Sequence, residues 1–338
     1  MFKSLSAAGY AGRIAICALT SLVVPWSQVL AGRAIEEHRA ADPRGEIEIV
    51  IVSGKLEVDG WDRSEIEVTG TAGDNIERVD VTGAGNHTSI HVVSRSSHGW
   101  GSDDEARLVV HVPAKSAVTV TLVSTDFKTT GVSGDLKLQS VSGNLSGDAG
   151  GDVRATTVSG DVRLTARAAK AIEIRTISGD MQIAGGGGEV DIGTVSGKAN
   201  IELADVSRGR FKSVSGDMKA TLGLAPDGQI EGESVSGDLS LTFAAAPAAE
   251  FDVQSFSGDI KNCFGPKPAE SRYGPGSRLQ FTNENGHARV RINTKSGDVR
   301  LCVKGMSGGT RVSSLSPARL HDVTLRLHDV HLVVPYAF

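Results

Sequence analysis

Aspartate is the residue type that recurs here in a pattern capable of chemistry. It follows Ser-Gly in a four-residue motif, Val-Ser-Gly-Asp or a close variant, that occurs nine times between residues 132 and 298. Paired carboxylates about 5 to 9 Å apart carry out acid and base catalysis in glycosidases. A row of carboxylates can also attract calcium. The motif has to be tested against both of these chemistries.

The motif also has an explanation that needs no ligand. Glycine permits the positive φ of a tight corner, and serine and aspartate side chains hydrogen-bond the backbone of turns. Calcium takes about 6 to 8 oxygen ligands, whereas one carboxylate per repeat, interrupted by Lys198, supplies too few. We therefore predict a structural corner, with no metal site. Its glycine and aspartate positions are Gly134, Asp135, Gly160, Asp161, Gly179, Asp180, Gly216, Asp217, Gly237, Asp238, Gly258, Asp259, Gly297 and Asp298.

The motif marks an internal repeat of about 19 residues. From glycine to glycine the steps are 9, 17, 19, 18, 19, 21, 21 and 39 residues, the last being two units or one unit with an insertion. Apolar and polar residues alternate around each corner, as at Val162, Arg163 and Leu164, which is typical of half-buried strands. Stacked copies can share the core that one copy cannot build alone. The sequence predicts an all-β fold, a β-solenoid or β-helix-like stack of strand-turn-strand repeats, preceded by a strand-rich N-terminal region.

The chain begins with the pattern of a secretory signal peptide. Lys3 and Arg13 accompany an apolar run at residues 14–24, and Val29-Leu30-Ala31 supply the cleavage site, with cleavage placed after Ala31. The run is too short to span a bilayer, so no transmembrane segment is expected in the mature chain. We expect export to the periplasm, the cell surface or the medium. The predicted regions are a signal peptide at 1–31, an N-terminal β-strand region at 32–125, the repeat at 126–303 and an atypical tail at 304–338.

Two cysteines occupy equivalent places in the repeat. Cys263 and Cys302 each lie five residues after a motif glycine, so the repeat register brings them to facing positions of neighbouring units. An oxidising compartment favours a disulfide between them. Two free thiols or metal ligands are the alternative, although no CxxC or Cys/His spacing accompanies them.

Composition and motifs narrow the classes of function. Charged residues make up 22% of the chain, and the formal net charge is -5 with both signs interspersed, so a dedicated nucleic-acid surface is not expected. Residues 305–309 match GxSxG by letter, but the strand-to-helix turn of a nucleophile elbow is not expected in an all-β chain. P-loop, dinucleotide and HExxH motifs do not occur in the sequence. We predict no cofactor and no catalytic residue.

Outward basic residues offer one candidate contact surface. The alternation points Lys137, Arg163, Lys219 and Arg300 away from the core, and we predict that they form a basic stripe on one flank. Such a stripe would suit anionic envelope polymers. Solubilising surface charge is the alternative explanation.

The order of these segments resembles a known family. Residues 58–62 (VDGWD), the strand end at 110–113 (VHVP) and the serial SGD units resemble the bacterial putative-adhesin family of β-strand-repeat proteins, a domain-of-unknown-function group that includes the YvlB-like and LiaG-like proteins. The resemblance covers roughly residues 45 to 303. It implies an exported or envelope-associated β-repeat domain without catalytic residues.

These observations favour an exported, non-enzymatic β-repeat protein that acts as an adhesin or envelope-interaction module, with envelope or surface polymers or proteins as partners. A carbohydrate-active β-helix enzyme and a regulatory component of the envelope stress response are the alternatives. The first would need a groove with clustered acids. The second would alter gene expression rather than attachment.

Overall fold

The computed structural model describes residues 33–74, 76–94, 105–270, 276–284 and 286–306. The signal peptide predicted at 1–31 and all but the first residues of the tail predicted at 304–338 lie outside them. The described residues contain 21 strands and no helix, so the prediction of an all-β fold is confirmed. None of the described segments is a helix with the length and hydropathy needed to cross a membrane.

The strands are numbered in chain order. Their bounds are β1 Arg33–Trp61, β2 Glu65–Ala72, β3 Ile76–Ser94, β4 Ala106–Pro113, β5 Ala117–Val132, β6 Leu136–Ser142, β7 Leu145–Ala149, β8 Val153–Ser159, β9 Val162–Ala166, β10 Ala171–Ser178, β11 Met181–Ala184, β12 Gly188–Thr194, β13 Ala199–Ser213, β14 Met218–Ser234, β15 Leu239–Phe243, β16 Ala249–Ser255, β17 Ile260–Asn262, β18 Ala269–Glu270, β19 Ser277–Thr282, β20 Ala288–Thr294 and β21 Val299–Val303.

Each regular coil of the chain contributes one strand to each of two parallel ladders. In the first ladder β6, β8, β10 and β12 pair in succession, and in the second ladder β7, β9 and β11 do so. The chain passes from the first ladder to the second through a motif corner and returns through an opposite turn. Two strands per coil, stacked in register, are the β-solenoid that the repeat predicts.

Alternation along the strands builds one core between the ladders. Val153 and Ile172 stack inside the first ladder, and Val162 and Met181 stack inside the second, each at most 3% exposed. The buried apolar residues form one hydrophobic cluster from Ala41 to Leu301. A coil alone would leave its inner face in water, so burial couples every coil to its neighbours.

The last coils do not stack in chain order. β20 lies between β14 and β16 in the first ladder, and β21 lies between β15 and β17 in the second. After β15 the chain therefore skips one place, turns back through β19, which is antiparallel to β16, and then fills the gap. The 39-residue step contains this excursion.

The N-terminal region continues the same ladders. β1 pairs with β5 between Glu46 and Asp59, through both ladders, while β2 is antiparallel to β1 and β4. The boundary predicted between residues 125 and 126 falls inside β5. A division of the chain at this point stays a prediction.

Candidate functional site

Eight of the nine motif copies form one column at the corner between the ladders. A Cβ built on any of these glycines would overlap a carbonyl oxygen of the coil beneath, which is that of Thr125 for Gly143 and of Gly143 for Gly160. Gly160 and Gly179 also have φ of 114° and 124°, a region that favours glycine. In stacking order the glycines are Gly143, Gly160, Gly179, Gly197, Gly216, Gly237, Gly297 and Gly258.

The first copy lies elsewhere. Gly134 and Asp135 stand at the opposite turn, where Ser133 donates a hydrogen bond to the carbonyl of Ala114 at 2.9 Å and Gly151 stacks on Gly134. The nine-residue step from Gly134 to Gly143 is about half a coil, which carries the chain from one side of the solenoid to the other. This copy has the same motif as the others in the sequence, but in the structure it lies at the opposite turn of the coil.

The motif serines tie each coil to the one beneath. Ser196 donates to the carbonyl of Ile177 at 3.3 Å, and Ser215 donates to that of Val195 at 3.1 Å. Three residues before each glycine of the regular coils, a buried Thr or Ser bonds within its own corner, as Thr157 does to the carbonyl of Ser159 at 3.1 Å. The hydroxyl groups are thus occupied by backbone.

The motif aspartates cap the backbone of the next coil. Asp180 donates its N–H to Oδ1 of Asp161 at 3.0 Å, and Asp238 does the same to Asp217 at 3.2 Å. At the end of the stack Asp298 receives the N–H of Asp259 at 2.8 Å. Each of these three carboxylates therefore satisfies a corner N–H that has no ladder partner.

At Asp161 the electrostatics disfavour acid catalysis. The pKa of Asp161 is lowered, first by the N–H of Asp180 and then by Arg163, whose Nη2 lies 2.7 Å from Oδ2. A catalytic acid needs a raised pKa. In the described part of the chain no three His, Cys, Asp or Glu side chains are grouped to hold a metal ion.

Cys263 and Cys302 form a disulfide. Their Cα atoms are 4.8 Å apart, and Cys263 also donates its N–H to the carbonyl of Leu301 at 2.9 Å. The bridge joins the coil of β17 to the coil of β21, two neighbours in space that are separated by the excursion in sequence.

The basic stripe predicted from the sequence is divided between the two ladders. Lys137 pairs with Arg154 in the first ladder, whereas Arg163, Lys219 and Arg300 lie in the second. The half-coil step from Gly134 to Gly143 is the reason, because Gly134 stands at the opposite turn and the residue three places after it therefore falls on the other ladder. We call the second-ladder set the basic column. It consists of Lys128, Ser146, Arg163, Gln182, Asn200, Lys219, Ser240, Arg300 and Lys261.

The first ladder carries an exposed apolar column that the sequence analysis missed. It consists of the outward Val or Ile at the end of the first-ladder strand in most coils, 42 to 51% exposed, and of Phe256, 70% exposed, whereas the coil of β20 has Lys295 at this position. Strand parity was the available signal, because Thr157 is buried and its neighbour Val158 must therefore point outward. The members are Val52, Val123, Val141, Val158, Ile177, Val195, Val214, Val235 and Phe256.

A groove of about 720 Å³ follows the middle of this column, from Thr156 to Lys295. We call it the apolar groove. Beside the apolar side chains, successive coils contribute Arg175, Gly193, Lys212 and Glu233. Gly193 leaves its place empty, since a Cβ there would meet only Cγ of Arg175, at 3.8 Å.

The outer edge of the same ladder is charged and internally paired. Arg154 lies 2.7 Å from Glu173, and Asp191 lies within 3.1 Å of Arg175 and 3.8 Å of Arg210. A second groove of about 830 Å³ follows Arg154, Glu173, Asp191 and Arg210. Its acids and bases neutralise one another across neighbouring strands.

A model of the Toastrack DUF4097 family matches residues 45–302. Among curated proteins, none matches this chain.

Three solved structures cover 80% of this chain. A putative cell adhesion protein from Clostridium sporogenes is 10% identical, with a TM-score of 0.23 over 100% of its own length. A putative adhesin from Bacteroides fragilis is 11% identical, with a TM-score of 0.33 over 97%. A putative adhesin from Parabacteroides distasonis is 14% identical, with a TM-score of 0.44 over 97%.

Proposed function

Because this chain belongs to the Toastrack DUF4097 family, a family of β-repeat proteins of unknown function, we propose that it is an exported, non-enzymatic module that contacts anionic polymers of the cell envelope or cell surface. The basic column carries the proposal. Its nine positions hold five cations and no carboxylate, on strands that are about 4.8 Å apart. A surface of this kind can follow an extended polymer over roughly 40 Å.

The end of the basic column near the disulfide carries the cations that are best able to bind an anionic polymer. Lys128 is 3.6 Å from Glu57 and Arg163 is 2.7 Å from Asp161, so these two cations are already paired. Lys219, Arg300 and Lys261 are exposed and have no ion pair within 4 Å among the described residues. The flanking corner aspartates direct one oxygen to the backbone of the next coil. The three free cations are the expected contact.

The hydrogen bonds of the motif aspartates support a non-enzymatic role. A glycosidase needs one acid with a raised pKa and a second acid on the other side of the substrate. Here the recurring carboxylates form a single column and accept backbone N–H groups. The same proposal includes cleavage after Ala31, which N-terminal sequencing of the exported protein checks.

Binding of the mature protein to immobilised dextran sulfate, with uncharged dextran as the reference, tests the proposal. The triple variant Lys219→Glu, Arg300→Glu and Lys261→Glu should lose at least about tenfold in affinity, and the wild-type affinity should fall with added salt. A matched triple reversal at Lys137, Lys170 and Arg291 changes the net charge equally but leaves the basic column intact, so it should bind as the wild type does.

Equal binding by the two triple variants would contradict the proposed surface. Release of reducing ends from envelope polysaccharide, abolished by Asp238→Asn, would replace the proposal with the enzyme alternative. A deletion strain with normal attachment but altered stress-gene expression would replace it with the regulatory alternative.

A further inference from the structure

The second ladder ends in two like charges on neighbouring strands. Lys261 of β17 is the direct ladder partner of Arg300 of β21, and neighbouring strands are about 4.8 Å apart. Both side chains are exposed. Like charges that face each other across a ladder are destabilising, so other interactions must keep these two strands together.

The segment that carries Lys261 is weakly held by packing. Of residues 260–268, only Ile260 is buried, at 7% exposure. Phe264 is partly buried and packs edge-on against Phe251 and Phe281. The three residues of β17 have β21 as their only ladder partner among the described strands. A segment with so few buried contacts opens locally at a low cost in free energy. We call residues 260–268 the outer segment.

The disulfide ties the outer segment to β21. Cys263 lies two residues after Lys261, and Cys302 lies two residues after Arg300, so the bridge joins the same two strands beside the two cations. In contrast to β17, β21 is paired on both sides, with β15 and β17. Loss of the bridge therefore releases the outer segment and leaves β21 in the ladder.

We propose that this disulfide is a redox switch for the cationic end of the basic column. In the oxidised protein it holds Lys261 beside Arg300, where an anionic group placed between them replaces one repulsion with two attractions. In the reduced protein the outer segment leaves β21, Lys261 leaves the basic column, and the affinity for an anionic polymer falls. The switch rests on the proposed function, because it regulates that same surface.

The switch reaction is a thiol–disulfide exchange with a dithiol as the reductant. Cys302 is 8% exposed and Cys263 is only half-buried, so a thiolate of the dithiol attacks Sγ of Cys263. A mixed disulfide forms, and Cys302 leaves as a thiolate that takes up a proton. The second thiol of the dithiol then displaces Cys263. Two electrons and two protons pass to the protein, and the dithiol becomes a cyclic disulfide.

Polymer binding and reduction then oppose each other. The factor by which reduction weakens polymer binding must equal the factor by which bound polymer disfavours reduction. The equilibrium between the protein and a dithiothreitol redox buffer should therefore shift toward the oxidised protein with saturating dextran sulfate, by that same factor. Uncharged dextran should not shift it.

Binding of the oxidised and the dithiothreitol-reduced mature protein to immobilised dextran sulfate tests the switch. The oxidised wild type should bind at least about threefold more tightly than the reduced form. In Lys261→Gln the two redox forms should bind equally, because there is no cation left to release. Lys219→Gln, on β14, should weaken binding and keep the redox ratio. General unfolding on reduction would instead weaken binding by Lys261→Gln as well.

Hydrogen exchange tests the opening without any polymer. The N–H of Cys263, which donates to the carbonyl of Leu301 at 2.9 Å, should exchange at least about tenfold faster in the reduced protein. Lys261→Glu places an opposite charge against Arg300 and should slow exchange in the reduced form at least about twofold. Lys267→Glu makes the same change of charge outside the ladder and should not slow it.

Three results would each overturn the switch. They are equal affinities of the oxidised and reduced wild type, a redox ratio that persists in Lys261→Gln, and equal exchange of the Cys263 N–H in the two forms. An absence of binding in both redox forms would overturn the proposed function and the switch with it, which is a different result from equal binding.

Discussion

The two turns of each coil connect the two ladders in different ways. At the motif corner the connecting segment has the same length in every coil. A glycine contact, a serine hydrogen bond and, in most coils, an aspartate cap recur there from coil to coil. At the opposite turn the solutions differ. Asp152 caps the N–H groups of Lys170 and Ala171, whereas β13 and β14 run continuously around that side. The corner fixes the pitch of the stack, and the opposite turn absorbs the variation in repeat length.

Substitution at the corner should have the largest effect. Gly160→Val places a side chain against the carbonyl of Gly143 at a φ of 114°, and strain together with overlap should cost more than about 3 kcal/mol of unfolding free energy. One glycine inserted after Ala168, at the opposite turn of the same coil, should cost less than about 1 kcal/mol. Urea unfolding of both variants measures the contrast. Equal losses would mean that the two sides are not different in kind.

Removal of the disulfide tests whether the corner contacts alone can hold the last coils, which do not stack in chain order. In the last coils the column runs Gly237, Gly297, Gly258, so chain continuity no longer supports it. The double variant Cys263→Ser, Cys302→Ser should lose about 2 to 4 kcal/mol, measured by urea unfolding against the oxidised wild type. Dithiothreitol should lower the wild-type stability by a similar amount and leave the variant unchanged. If the double variant were as stable as the wild type, the corner hydrogen bonds would be sufficient to hold the last coil without the disulfide.

The same comparison explains what the sequence could predict. Type and spacing were enough to find the corner, the alternating strands and the register of Cys263 with Cys302, because each follows from local chemistry repeated at a fixed step. The local sequence does not show on which side of the solenoid a motif lies. Gly134 and Gly160 belong to the same Val-Ser-Gly-Asp motif, but they lie on opposite sides of the coil. For the same reason Lys137 lies on the other ladder from Arg163. The place of β20 between β14 and β16 depends on packing partners that are far apart in sequence.

The charge on the corner carboxylates should have a smaller, pH-dependent effect. The pKa of Asp161 is lowered in the folded protein, so its contribution is present above the ordinary aspartate pKa of about 3.9 and is lost as the pH falls through the folded value. Asp161→Asn keeps an oxygen that can accept the N–H of Asp180, as Asn144 does for Asp161 at 3.1 Å. It removes only the charge.

The Asp161→Asn variant should therefore be less stable than the wild type at pH 7, by less than about 1 kcal/mol as for an exposed ion pair with Arg163. The difference should disappear in acid. Melting temperatures of the two proteins between pH 7 and pH 2 measure it. A constant difference over this range would show that the charge is not the cause.

Substitution of Lys198 should have the smallest effect on stability and gives the most specific test. Lys198 stands where the other motif copies have Asp or Asn. Its N–H is capped by Asp180 at 2.8 Å, but its side chain has no oxygen to cap Asp217 in turn. Asparagine would supply the acceptor without adding charge, whereas aspartate would supply it and also join the carboxylates of Asp180 and Asp217 into an unbroken row. Like charges on neighbouring strands are destabilising.

We expect Lys198→Asn to gain about 0.5 kcal/mol, Lys198→Asp to gain less than Lys198→Asn, and Lys198→Ala to gain nothing. Added salt should narrow the gap between the asparagine and aspartate variants, because it screens the carboxylates and leaves the cap unaffected. Melting temperatures at low and high salt rank the variants. If all three variants lost stability equally, the lysine charge would be what the corner requires at this coil, and a missing cap would cost the stack nothing there.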